Sequence, residues 1–188
     1  MNINSLLMKI KRTESPLKKQ LLTVALISRL LEEKGKDIPI IIGGCALSYY
    51  SREVYFTADI DLAYADRKSL DNVLKTLGFK KEGRYWVNED LMLVIEVPAS
   101  ALPCKDSPVE TIEFDEGLKC KIIGIEDLII DRLNACKYWK SEIDCEMVEL
   151  LLIRYKKEVD WEYLKRQAKK PDNNNLKELL EIKRRIRG

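Results

Sequence analysis

The chain contains no histidine. That absence removes imidazole acid/base catalysis, Ser-His-Asp triads and histidine metal sites together. Acid/base or metal chemistry must then fall to carboxylates, lysine, tyrosine or cysteine. Paired cysteines are missing too. The five at 45, 104, 120, 136 and 145 contain no C-x-x-C spacing, which argues against a zinc site. The N-terminal stretch MNINSLLMKIKRTES lacks the long apolar segment of a secretory signal. The cysteines therefore read as reduced thiols in a cytoplasmic protein. No apolar run approaches the roughly 18–20 residues that span a bilayer, so a membrane partner is not expected. Net charge is scarce, +2 over 188 residues, although 34% of them are charged. The 46% hydrophobic fraction excludes wholesale disorder, and the length suits one domain with a helical extension.

The small net charge hides opposed blocks. Residues 1–20 carry five basic groups and one acid. Residues 86–131 carry eleven acids and three basic groups, and residues 154–188 carry twelve basic groups and six acids. Such blocks fit solvated helix faces, or an acidic metal site bordered by surfaces for a polyanion. On the second reading the tail Lys183-Arg184-Arg185-Ile186-Arg187 would follow the phosphates of RNA.

Local patterns divide the chain into an α/β domain, residues 1–123, and a helical region, residues 124–188. Ser15-Pro16 caps and opens a helix that runs to Gly35. Ile38 to Ile42 is a short β-branched strand, broken by Gly43-Gly44 before a helix from Cys45 to Arg52. Ala58 to Tyr64 alternates as a strand, and Arg67 to Leu77 is a helix closed by Gly78. Phe79 to Val87 is a hairpin turning at Glu82-Gly83, and Leu91 to Val97 is a strand stopped by Pro98. Val109 to Phe114 and Leu118 to Ile123 pair around Asp115-Glu116-Gly117. Four helices follow, over 126–139, 144–155, 160–169 and 176–187, the last capped by asparagine. Trp86, Trp139 and Trp161 read as packing residues rather than platforms for bases.

Asp59 and Asp61 are two residues apart on one strand and so point to one face. Adjacent carboxylates repel unless a cation lies between them, and magnesium prefers such hard oxygen ligands. Glu96 interrupts the apolar run from Leu91 to Val97, where an unpaired charge is costly. Beside the Asp59–Asp61 strand it would complete a three-carboxylate cluster of the kind that holds two metals for phosphoryl transfer. Gly43 and Gly44, at a strand-to-helix turn, would let phosphate approach the backbone at a helix N-terminus.

Ile42-Gly43-Gly44-Cys45-Ala46-Leu47 followed by Thr57-Ala58-Asp59-Ile60-Asp61-Leu62 resembles the first motif of the nucleotidyltransferase superfamily related to DNA polymerase β. It is similar above all to the small prokaryotic branch that includes the AbiEii-type toxins. The resemblance implies an α+β fold, a mixed sheet with packed helices followed by a C-terminal helical region. It implies transfer of a nucleotidyl group from an NTP to an acceptor hydroxyl on RNA, protein or a small molecule, dependent on Mg2+ or Mn2+. Asp59, Asp61 and Glu96 would hold the metal, with Glu96 also helping to activate the acceptor. Gly43, Gly44 and Cys45 would border the triphosphate. Arg132, Lys140 and Asp144 would line the nucleotide pocket, Arg132 standing where a lysine is common. The chain departs from the pattern at Cys45, where a Ser or Thr is frequent, and in lacking an arginine just before Asp59. These departures keep open a second reading, a weak or inactive nucleotide-binding module, regulatory or part of a toxin–antitoxin pair.

Overall fold

The computed structural model describes residues 3–186. Among these residues the chain forms eight α-helices and a seven-stranded mixed sheet. Two helices lead, α1 (Ile3–Lys11) and α2 (Pro16–Glu32). Ser15 Oγ accepts the Lys18 N–H at 3.1 Å and Pro16 opens α2, as the Ser-Pro pair predicts. The sequence gives no warning of α1. Its hold on the fold comes from Leu6 and Ile10, four residues apart and buried.

The α/β region continues as β1 (Ile40–Ile42), α3 (Gly43–Tyr50), β2 (Asp59–Ala63), α4 (Arg67–Thr76), β3 (Lys80–Glu82), β4 (Tyr85–Asn88), β5 (Leu93–Ala99), β6 (Val109–Glu113) and β7 (Lys119–Ile123). The strands lie in the order β3-β4-β5-β2-β1-β7-β6. Strand β2 runs antiparallel to β1 and parallel to β5. One sheet face carries Ile41, Ile60, Leu62, Trp86, Ile95 and Ile122, all buried in one cluster with Leu26, Ile27, Leu70 and Leu74 of α2 and α4. At about 25 cal/mol per Å2 of apolar area, this face is the main source of stability. The other face is only half-buried at Ile42, Asp59, Asp61, Tyr85, Val87, Val94 and Glu96.

Strand β5 passes through Pro98 instead of stopping there. Its partner β4 pairs only with Leu93 to Glu96, so Pro98 has no ladder to break on that side. On the other side the β2 register shifts between Asp61 and Ala63. The β3–β4 turn falls one residue later than expected, at Gly83-Arg84.

Four helices complete the chain: α5 (Ile125–Tyr138), α6 (Glu142–Arg154), α7 (Trp161–Ala168) and α8 (Leu176–Arg185). Leu128, Leu151, Leu164 and Leu179 of these helices belong to the same hydrophobic cluster as the sheet. Helix α6 starts earlier than predicted because Ser141 Oγ accepts the Asp144 N–H at 3.3 Å. Asn175 precedes α8 without a side-chain cap; its Nδ2 donates to Asn134 Oδ1 at 2.6 Å instead.

The expectation of reduced cysteines fails at one pair. Helices α5 and α6 form a hairpin that brings the Cα atoms of Cys136 and Cys145 to 4.8 Å, and their sulfurs form a disulfide. Cys45 and Cys120 are buried free thiols, and Cys104 is half-buried. Closing a loop of nine residues' separation restricts the unfolded chain. By loop entropy the bridge should add about 2–3 kcal/mol. Reduction, or the double substitution Cys136→Ser and Cys145→Ser, should therefore lower Tm by roughly 5–10 °C in a thermal melt.

Candidate active site

The site grows from the strand-to-helix turn between β1 and α3. Ile42 pairs with Asp61 across β1 and β2, so the chain leaving Ile42 turns directly over the Asp61 side chain. Gly43 makes that turn at φ +58°, in the left-handed region. A Cβ there would stand 2.9 Å from Asp61 Cγ, so only glycine leaves room for the carboxylate. Gly44 N–H, at the start of α3, donates to Asp61 Oδ2 at 3.2 Å. The helix N-terminus thus already faces an anion, the carboxylate of Asp61.

Register brings the third carboxylate alongside. Asp61 pairs with Glu96 and Asp59 with Val94 across the parallel strands β2 and β5. Side chains at paired positions share a face, so Asp59, Asp61 and Glu96 lie together on the half-buried side of the sheet. Burial raises the Asp61 pKa above the usual carboxylate range. The Gly44 N–H opposes the shift, the charges of Asp59 and Glu96 add to it, and Arg132 counters it.

Each carboxylate rests on a protein donor. Thr57 Oγ1 donates to Asp59 Oδ1. Gly44 holds Asp61, and Arg84 Nε lies 3.3 Å from Glu96 Oε1. Among the described residues no group of three or more His, Cys, Asp or Glu side chains is drawn close enough together to hold a metal ion. The donor set nevertheless fits a hard divalent cation in kind: three carboxylates on one face, from neighbouring strands, with Asp61 kept free of Cβ crowding by Gly43.

Cys45 does not face this site. Its side chain is fully buried, and Sγ lies 3.6 Å from Gln20 Oε1 of α2. Burial pushes its thiol pKa far up, with smaller contributions from Cys120, Asp61 and Asp59. The expected role for its side chain beside the triphosphate is thus corrected: at this position the α3 backbone faces the turn while the side chain packs inward. Gln20 in turn donates to the Thr57 carbonyl at 2.9 Å and braces the loop before Asp59.

Arg132 and Asp144 form an ion pair between α5 and α6 at 3.1 Å, with side chains 16% and 14% exposed. Asp131 is a second partner of Arg132, at 3.1 Å from Nε. The Arg132 charge opposes the rise of the Asp61 pKa. Lys140 is exposed in the α5–α6 loop at φ +57°, with no ion pair among the described residues. Trp139 beside it is 79% exposed, so it is not the packing residue expected, whereas Trp86 is buried and donates to Asp71 at 3.0 Å. Part of the basic tail is engaged internally. Lys183 Nζ lies 3.7 Å from the Trp161 ring centroid, and Arg185 pairs with Glu149 at 3.6 Å. Arg187 lies outside the described residues.

Three site residues escaped the sequence reading: Thr57, Arg84 and Tyr85. Thr57 stands two residues before Asp59, ahead of β2, where strand alternation gives no signal for it. Arg84 and Tyr85 become visible only once the β4 register places Tyr85 opposite Glu96.

No family model and no curated protein matches the chain. Solved structures do. An antigenic nucleotidyltransferase-like protein from Paracoccidioides brasiliensis aligns with 74% of this chain and 77% of its own, at 17% identity and a TM-score of 0.53. The antibiotic-resistance factor ANT(2'')-Ia aligns with 73% of this chain and 84% of its own, at 17% identity and a TM-score of 0.48. The first likeness establishes a nucleotidyltransferase-like fold for this chain.

Proposed function

We propose that the protein is a metal-dependent nucleotidyltransferase that moves a nucleotidyl group from an NTP to an acceptor hydroxyl. One observation carries the reading: Asp61 and Glu96 stand in register on neighbouring strands, with Asp59 on the same face, at the N-terminus of a glycine-led helix. Asp59, Asp61 and Glu96 would hold Mg2+ or Mn2+. The bound ion would neutralise phosphate charge and lower the barrier to in-line displacement. Glu96, on the side facing the β4 strand, would accept the proton of the acceptor hydroxyl. Gly43 keeps Cβ bulk away from Asp61, and Gly44 fixes that carboxylate through its N–H. Arg132 would meet phosphate oxygens from the α5 side, held in orientation by Asp144. The bond broken joins the α- and β-phosphates, the new bond joins the acceptor oxygen to the α-phosphorus, and pyrophosphate leaves.

A second reading, a nucleotide-binding module with little turnover, draws on a specific feature. The Gly44 N–H is taken by Asp61 and the Cys45 thiol is buried, which leaves fewer donors for a triphosphate than the glycine turn suggests. The two readings separate in one assay. The protein is incubated with each α-labelled NTP, Mg2+ or Mn2+, and RNA or protein acceptors, while released pyrophosphate is measured. Transfer with stoichiometric pyrophosphate supports the enzyme. Nucleotide binding without pyrophosphate release from any NTP supports the module.

A further inference from the structure

Glu96 already has a cation. Arg84, in the β3–β4 turn, reaches across β4 to it, its side chain 70% exposed against 16% for Glu96. The guanidinium lies 4.8 Å from the Tyr85 ring centroid and donates to the Tyr85 hydroxyl. Tyr85 is opposite Glu96, and Glu96 is opposite Asp61, so the guanidinium covers the row that carries two of the three carboxylates. Glu82, opposite Tyr85 on β3, is the remaining charged group of that row. The Tyr85 hydroxyl first, and then the charges of Glu96 and Asp61, hold the Arg84 pKa above its ordinary value.

Resting on the reading of this face as a metal centre, we propose that Arg84 is a positioning residue that occupies Glu96 until a divalent cation displaces it. In this role it sets how tightly the metal binds alone. A metal ion on Glu96 would be repelled by the guanidinium held 3.3 Å from Oε1, so metal entry favours its displacement. The move costs little. An exposed ion pair is weak, and Arg84 already stacks on Tyr85, a second resting place beside the site. Arginine keeps its charge across the working pH range, so pH does not relieve the competition. The consequence is a preferred order. A bare metal ion must compete with Arg84, whereas a metal carried by a triphosphate brings the negative charge that a displaced guanidinium can follow.

The test measures free Mn2+ by its electron paramagnetic resonance signal, without nucleotide, for the full chain, three single variants and one double variant. Arg84→Gln should tighten Mn2+ binding about tenfold, the order expected for removing one unit charge a few ångströms from the ion at a partly solvated site. Arg84→Lys, which keeps the charge, should bind like the parent. Glu96→Gln should weaken Mn2+ binding and should cancel the gain when combined with Arg84→Gln. Measurable and equal Mn2+ affinity in the parent and Arg84→Gln, or weaker binding in the variant, overturns the proposal and leaves the metal centre standing. No Mn2+ binding by either protein overturns the metal centre itself, and this proposal with it.

Discussion

Replacing Asp61 with asparagine should abolish nucleotidyl transfer and leave the fold as stable as before, or more stable. The two halves of this result come from different properties of one carboxylate. Asp61 is the most constrained of the three acids. It lies on β2 between Ile42 and Glu96, accepts the Gly44 N–H at 3.2 Å, and fills the space that Gly43 leaves open. A charge removed here would be lost at the centre of the proposed metal site. Transfer should fall by at least about 10^3-fold, the scale on which preorganised electrostatic groups act. Asparagine keeps an oxygen for the Gly44 N–H, so the local geometry survives. Its effect on stability follows from the sign of the Asp61 shift. Burial, with Asp59 and Glu96, raises the pKa in the folded state, so the ionised form costs stability at neutral pH. That cost sets in as pH rises through the raised pKa, and it is absent below the usual carboxylate range, where Asp61 is protonated in both states. Any gain in the asparagine variant should therefore appear in denaturant melts at pH 7 and vanish in acid. A variant that lost both activity and stability would mark Asp61 as a structural residue instead.

The residues that bear on this prediction were legible in the sequence for a simple reason. Strand periodicity assigns faces, and a charge inside an apolar run has to be explained. Asp59 and Asp61 announced themselves by alternation, Glu96 by interrupting Leu91 to Val97, and the structure places Glu96 on the strand next to theirs. What stayed hidden depends on tertiary arrangement. Arg84 is an ordinary turn residue until hairpin register sets its neighbour Tyr85 opposite Glu96. The Cys136–Cys145 bridge spans a helix end, a loop and a helix start, and no local pattern shows that two such ends meet at 4.8 Å. Helix α1 has no proline signal and is held through the buried Leu6 and Ile10, packing that propensity does not report. Cys45 shows the limit from the other side. Its place in the motif suggested a phosphate-facing side chain, yet the first turn of an α-helix sends successive side chains in different directions, and this one points into the core.

Gly43→Ala should be strongly damaging for a single added methyl group, and the reasons can be separated by experiment. One is backbone strain. At φ +58° an L-residue pays roughly 1–2 kcal/mol. The other is contact, because the new Cβ would stand 2.9 Å from Asp61 Cγ and 3.0 Å from its Cβ. Neither partner can yield cheaply, since Asp61 is fixed on a central strand and Gly43 is tied to Ile42 of the neighbouring one. Together the effects should cost about 3–4 kcal/mol, a Tm loss of roughly 6–15 °C for a chain of this size. Gly35→Ala supplies the control: φ is +66° there, and nothing lies within 4 Å of an added Cβ, so only the backbone cost remains. Gly44→Ala supplies the other, because its φ is not left-handed and its Cβ would meet only the Thr57 side chain at 3.1 Å. The decisive comparison is a double-mutant cycle of Gly43→Ala with Asp61→Gly. Removing the Asp61 side chain should recover the contact part of the loss and leave the backbone part, a coupling of about 1–3 kcal/mol. Strict additivity would mean that Gly43 is kept for its backbone conformation alone. Coupling of that size would mean that the glycine and the aspartate form one unit, in which a missing methyl group makes the space for the carboxylate.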